Sequence, residues 1–112
     1  MRIVTLADLD CRGIDEFDSR SFTIAAFGRL ADGHVAVAHL GTDGVIGRHD
    51  AAGPQALVPI IGVAVVSGAD GERQEIGPGR VAVWSAGESH ETRTATGLTA
   101  LVVEGDWLAG PP

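Results

Sequence analysis

The chain of 112 residues carries a single cysteine, Cys11, so no internal disulfide is available. A domain of this length can still hold one apolar core without staples. Cys11 therefore reads as a spectator, and a reducing cytoplasm is the expected compartment. Basic residues are scarce: eight Lys and Arg stand against fifteen Asp and Glu, for a formal net charge of −7. Phosphate binding needs clustered cations, and those present are scattered, which excludes nucleic acid as the expected partner. Long hydrophobic runs are also missing. The longest, Ala56 to Val66, is broken by Pro59 and Gly62 and falls well short of the roughly 20 residues of a membrane helix. Met1 to Asp10 lacks a continuous apolar stretch and a cleavage site, so neither export nor membrane insertion is expected.

What is present is glycine, sixteen of them, with five prolines and 45% hydrophobic residues, and valine, isoleucine and threonine recur in short runs. That composition favours many strands joined by tight turns. Strands are expected over Ser21 to Phe27, Val35 to Leu40, Val45 to Arg48, Glu72 to Ile76, Val81 to Trp84 and Leu98 to Glu104. Leu57 to Ser67 reads as one or two strands bent at Gly62. Asp-Gly pairs at 32–33, 43–44 and 70–71 predict tight turns, with further turns at Pro78-Gly79 and Ala86-Gly87. Leu6 to Phe17 holds the only helical pattern, and Gly13 and the crowded aspartates weaken it to an irregular arm. No linker or repeat divides the chain. The expected organisation is an N-terminal arm over residues 1–20, one β-barrel domain over 21–106 and a tail over 107–112, an all-β sandwich or barrel of eight or nine short strands.

The polar positions can be placed on that scaffold. In an extended strand, residues an even number apart share a face, so His49, position 51 and Gln55 align if the segment stays extended past Gly53-Pro54. His90 must arrive from another strand. Imidazole nitrogens suit zinc, copper, iron and nickel, and an amide oxygen is a harder, neutral donor.

The spacing of these residues resembles the two motifs of the cupin superfamily. The first, G(X)5HXH(X)3,4E(X)6G, matches Gly44 to Gly62, with His49 as the first histidine and Gln55 in the glutamate position, six residues separating it from Gly62. Ala51 replaces the second histidine, and Gly44 to His49 is one residue short. The second, G(X)5PXG(X)2H(X)3N, matches Gly79, Gly87 and His90, with Ser85 in place of proline and Thr94 in place of asparagine. The resemblance covers roughly Val35 to Glu104. It implies a double-stranded β-helix, or jelly-roll barrel, with His49, Gln55 and His90 as metal ligands and Ala51, where a ligand is lost, as a cavity position that opens space for a small molecule. The implied ion is zinc, iron, nickel or manganese, with water or substrate in its open positions and its charge uncompensated by a carboxylate. Small proteins of this resemblance are often dimers, and the two apolar faces of Leu57 to Val66 agree with a homodimer.

Other residues carry competing readings. His39 shares a strand face with Val35 and Val37 and is a candidate replacement ligand or cavity residue, against a surface or satisfied core histidine. Trp84, six residues before His90, is a candidate cavity wall or plain core, and Trp107 a cover for a barrel end or a dimer contact. Arg20, Arg48 and Arg93 are candidates for a carboxylate-bearing ligand or a solvated face, with Arg48 turned away from His49 and Glu91 away from His90. Three functions follow: a metal-dependent enzyme acting on a small oxygen-rich substrate, a metal-free binding or sensing module for a small molecule, or a structural barrel with relic motifs. No nucleophile elbow or phosphate loop supports covalent or nucleotide chemistry.

Overall fold

The structure is a computed structural model, and it describes residues 2, 4 and 6–107. After a 3-10 turn at Leu6–Asp8 come β1 (Cys11–Gly13), a second 3-10 turn at Glu16–Asp18, β2 (Arg20–Leu30) and β3 (Gly33–Asp50). There follow β4 (Gln55–Gly62), β5 (Ala64–Ser67), β6 (Arg73–Ile76), β7 (Ala82–Trp84), β8 (Ser89–Arg93) and β9 (Leu98–Gly105). All nine strands join one antiparallel sheet ordered β6-β5-β8-β3-β9-β4-β7, with β2 on β3 and β1 on β2. The sheet curls into a nearly closed barrel whose seam lies between the end strands β6 and β7. Among the described residues no helix is long and apolar enough to cross a membrane.

Strand alternation fixes the two faces. The inner rows bring Phe22, Ala38, Leu40, Leu57, Ala64, Val66, Ile76, Trp84, Leu98 and Ala100 into one buried cluster, with Ile14, Ile24, Ile46, Ala82 and Val102 packed against it. Each of these short apolar segments can bury only one face alone, and curling the sheet removes them all from water. The bend at Gly62 is a true break between β4 and β5. Its φ of +91° and the carbonyl oxygen of Gly97, which stands where a Cβ would have to go, leave room for no side chain.

Two expectations do not hold. The arm is not irregular outside the sheet: Cys11–Gly13 pairs with Thr23–Ala25 of β2, and Ile14 donates its N–H to Phe22. Nor does Asp43-Gly44 turn the chain. Asp43 takes a left-handed φ of 56°, yet its N–H reaches the Ala95 carbonyl and the Gly44 carbonyl accepts from Thr94, so β3 runs on to Asp50. The Thr94–Ala95 segment satisfies the backbone that a local turn would otherwise have satisfied. Of the tail expected over 107–112, only Trp107 lies within the described residues, 38% exposed.

Candidate functional site

β3 and β8 run antiparallel and bring His49 directly opposite His90. Ile46 pairs with Thr92, so regular alternation would set Arg48 inward against His90. Instead the register shifts between Ile46 and His49, with one extra residue in β3. That bulge turns His49 into the barrel and Arg48 outward, where its guanidinium donates to Ser67 Oγ, Ser89 Oγ and the Gly68 carbonyl. The ring centroids of His49 and His90 lie 4.4 Å apart with planes tilted by 53°.

Both imidazoles are anchored in the same manner. His49 Nδ1 is 2.7 Å from the Gly47 carbonyl and His90 Nδ1 is 3.0 Å from the Glu88 carbonyl, each two residues back along the chain. A carbonyl oxygen only accepts, so each Nδ1 carries a proton, and in the neutral form of either ring Nε2 is the bare nitrogen. The Glu88 carbonyl is itself held. Ala51 donates its N–H to Glu88 O and accepts from Gly87 N, which clamps the turn before β8. The Glu88 carboxylate ties the Ser85 and Ala69 amides. Ala51 is 3% exposed and contributes through this backbone clamp.

Aromatic rings extend the pair on both sides. Trp84 lies 4.4 Å from the His90 ring, and Phe17 stacks on His49 at 4.6 Å and 13°. His90 is 2% exposed, and burial is the main reason its pKa lies below the ordinary value; the Glu88 carbonyl pulls the other way, and the nearby His49 pushes it further down. A neutral His90 with a free Nε2 is therefore the resting form at neutral pH.

Gln55 sits opposite Trp84 on one side and Glu104 on the other, so all three share the inner face at one end of the barrel. Glu104 is occupied by the Gly53 amide and by His34 Nε2 at 3.2 Å. Trp84 both packs in the core and lines a cavity of about 510 Å³ in the β6–β7 seam, with Val66, Ile76 and Ala82 as its apolar wall. The sequence candidates thus divide: His49, His90 and Trp84 come together, Gln55 joins Trp84 by register, and Ala51 supports from behind. His39 does not join them. It pairs with Thr23 and Thr99 on the outer row, its Nδ1 3.2 Å from Thr99 Oγ1, while its neighbours Ala38 and Leu40 face the core. Glu91 likewise faces out, bound to Arg93 at 2.7 Å, which holds its carboxyl below the usual range.

Phe17 was absent from the sequence candidates. Its position on the arm, 32 residues before His49, carries no motif, and only its helical spacing from Ile14 drew attention.

The curled nine-stranded sheet has many counterparts among solved structures. A predicted oxalate decarboxylase from Thermotoga maritima superposes with a TM-score of 0.80 at 19% identity, over 95% of this chain and 100% of that one. An RmlC-like cupin from Shewanella frigidimarina gives 0.79 at 10% identity, over 96% and 93%. The fold is the cupin fold. The polyketide cyclase RemF from Streptomyces resistomycificus shares it, with a TM-score of 0.78 at 20% identity over 100% of this chain and 89% of that one. No protein-family model matches the sequence, and no curated protein matches it. Cupin barrels at these identities share the architecture of the chain, and its chemistry rests on its own side chains.

The donor set can be tested against a divalent ion. Two facing imidazoles, each with Nδ1–H on a carbonyl and Nε2 bare, match the outer hydrogen bonds that fix metal-ligating histidines. Gln55 carries a neutral amide oxygen, and its register sets it on the same inner face. Among the described residues no third His, Cys, Asp or Glu joins the pair. The residues fit an ion whose charge is balanced by an anionic ligand rather than by the protein.

Proposed function

We propose that this cupin-fold protein binds a small oxygen-rich organic molecule at the His49–His90 pair, with His49 Nε2, His90 Nε2 and Gln55 Oε1 holding a divalent ion. The observation that carries this reading is the matched pair of Nδ1–carbonyl anchors, which leaves two unprotonated nitrogens on facing strands. Such an ion would supply polarisation of a ligand oxygen, and zinc, iron, nickel and manganese all accept these donors. The chain's own residues do the rest. Burial keeps His90 neutral and ready to donate its lone pair. Trp84 offers a flat apolar wall beside His90, and the arm's Phe17 covers the outer face of His49. Because the donors are neutral, ion and anionic ligand should bind together, each raising the affinity of the other.

Zinc, nickel, manganese and anaerobic iron(II) titrations of chelator-treated protein, followed by calorimetry, test the reading. Stoichiometric binding that is abolished in His49→Ala and in His90→Ala is the expected result. Binding that is absent for all four ions, or indifferent to both substitutions, overturns it. A second reading, a binding or sensing module without metal, is favoured because no third His, Cys, Asp or Glu joins the pair among the described residues. Under it, the two Nε2 atoms accept hydrogen bonds from a ligand directly, and a ligand screen on the metal-free protein gives shifts at both rings. The outward residues Ile60, Ile61 and Val63 are 38%, 67% and 39% exposed, which supports a homodimer through this part of the sheet.

A further inference from the structure

We infer that the arm segment Phe17–Ser19 is a positioning element of the histidine site: by pinning Gly47 it sets the bulge that aims His49, rather than Arg48, at His90. The inference rests on the proposed role of the pair in binding. It is carried by three contacts that meet at one residue. Gly47 donates its N–H to Ser19 Oγ at 2.9 Å, a bond made to the arm. Its α-carbon lies directly beneath the Phe17 carbonyl, where any Cβ would overlap that oxygen. Its own carbonyl accepts from His49 Nδ1 at 2.7 Å. Gly47 is thus held from the arm on one side and holds the imidazole on the other.

The arm adopts an unfavourable backbone to do this. Phe17 and Asp18 sit at φ of 59° and 58°, consecutive left-handed positions at residues other than glycine. Such conformations persist where surrounding contacts over-determine them, and they cluster at binding sites. Here the surrounding contacts are the Ser19–Gly47 bond and the flat stacking of Phe17 on His49. Phe17 is 55% exposed, so its ring gains little from burial, and the imidazole it touches is the main beneficiary. His90 provides an internal control. Its Nδ1 anchor depends on the Ala51–Glu88 clamp, with no contribution from the arm.

The test uses the metal-free full chain and Zn²⁺ alone. Nitrogen-15 spectra of the histidine side chains report which ring nitrogen carries the proton. In the unaltered protein both rings are expected in the Nδ1–H form. In Phe17→Ala/Ser19→Ala, His49 is expected to lose that signature while His90 keeps it, and zinc affinity to fall at least tenfold. Phe17→Trp and Ser19→Thr, which keep the stack and the hydroxyl, should restore both. Should the double variant misfold, Phe17→Ala and Ser19→Ala are read singly, each expected to mix the His49 tautomers. His49 unchanged in every folded variant overturns the inference, whatever zinc does. Zinc that fails to bind the unaltered protein, with the His49 tautomer still dependent on the arm, overturns the metal reading and leaves the positioning role standing.

Discussion

Thr94 occupies the motif position where asparagine is usual, and its hydroxyl joins the break between β4 and β5 to the turn before β9. The side chain is in a residue 4% exposed, with Oγ1 2.8 Å from the Val63 carbonyl, 3.0 Å from the Gly97 carbonyl and 3.1 Å from the Gly97 nitrogen. One hydroxyl proton can satisfy one carbonyl at a time, while a lone pair accepts from Gly97 N–H. Thr94→Val keeps the shape and removes these bonds, leaving the Gly97 amide and the Val63 carbonyl without this partner. A buried group left unpaired costs about 1–3 kcal/mol, so a loss of about 2 kcal/mol is expected. At roughly 4 °C per kcal/mol for a domain of this size, Tm should fall by about 8 °C. Thr94→Ser keeps the hydroxyl and loses one buried methyl, worth about 1 kcal/mol. Urea denaturation with an unchanged slope is the assay. If Thr94→Val lies within about 0.5 kcal/mol of the parent, or is less damaging than Thr94→Ser, the hydroxyl does not hold this junction.

Burial lowers the His90 pKa, so the unfolded chain takes up that proton first as pH falls below about 6.5, the ordinary value. Stability should therefore decline from pH 6.5 downward until the folded ring also protonates, and His90→Gln should flatten that slope; equal slopes in the two proteins would contradict it. Trp84→Ala empties a core site 4% exposed and should cost about 3–5 kcal/mol in the same denaturation assay, with Trp84→Phe retaining most of the stability. Equal losses for the two would show that ring volume is not what matters. Sedimentation at micromolar concentration should give a dimer, and Ile61→Glu a monomer; a monomeric parent protein refutes the outer-face pairing.

Sequence spacing located His49, His90 and Trp84 because glycine-marked turns set how far each residue stands from its strand's end. The face of His49 is another matter. Counting by twos from the inward Ile46 points Arg48 at the core, and only the bulge at Gly47, bonded to Ser19, reverses it. That partner is 28 residues away, so no local pattern encodes it. His39 was correctly grouped with Val35 and Val37, yet the pattern could not say which way that row faces. Alanines 36 and 38 face the core cluster, yet Val37 on the opposite face of the strand is also 0% exposed, so the usual contrast of apolar-in and polar-out is missing. Asp43-Gly44 is a strong turn signal overridden by its neighbours, since bonds to Thr94 and Ala95 let β3 continue through a left-handed residue.

Both histidine rings hang on main-chain oxygens. An orienting carboxylate can be lost by one substitution, whereas a carbonyl is present whatever residue occupies the position. Ring orientation is therefore a property of the strand path, and side chains that neither set that path nor touch the rings are free to drift. Within such a barrel the residues at positions 55 and 51 can be exchanged, as glutamate for Gln55 or histidine for Ala51, without re-aiming the two nitrogens. A scaffold of this kind lets evolution retune what is bound while the geometry of capture stays where the backbone put it.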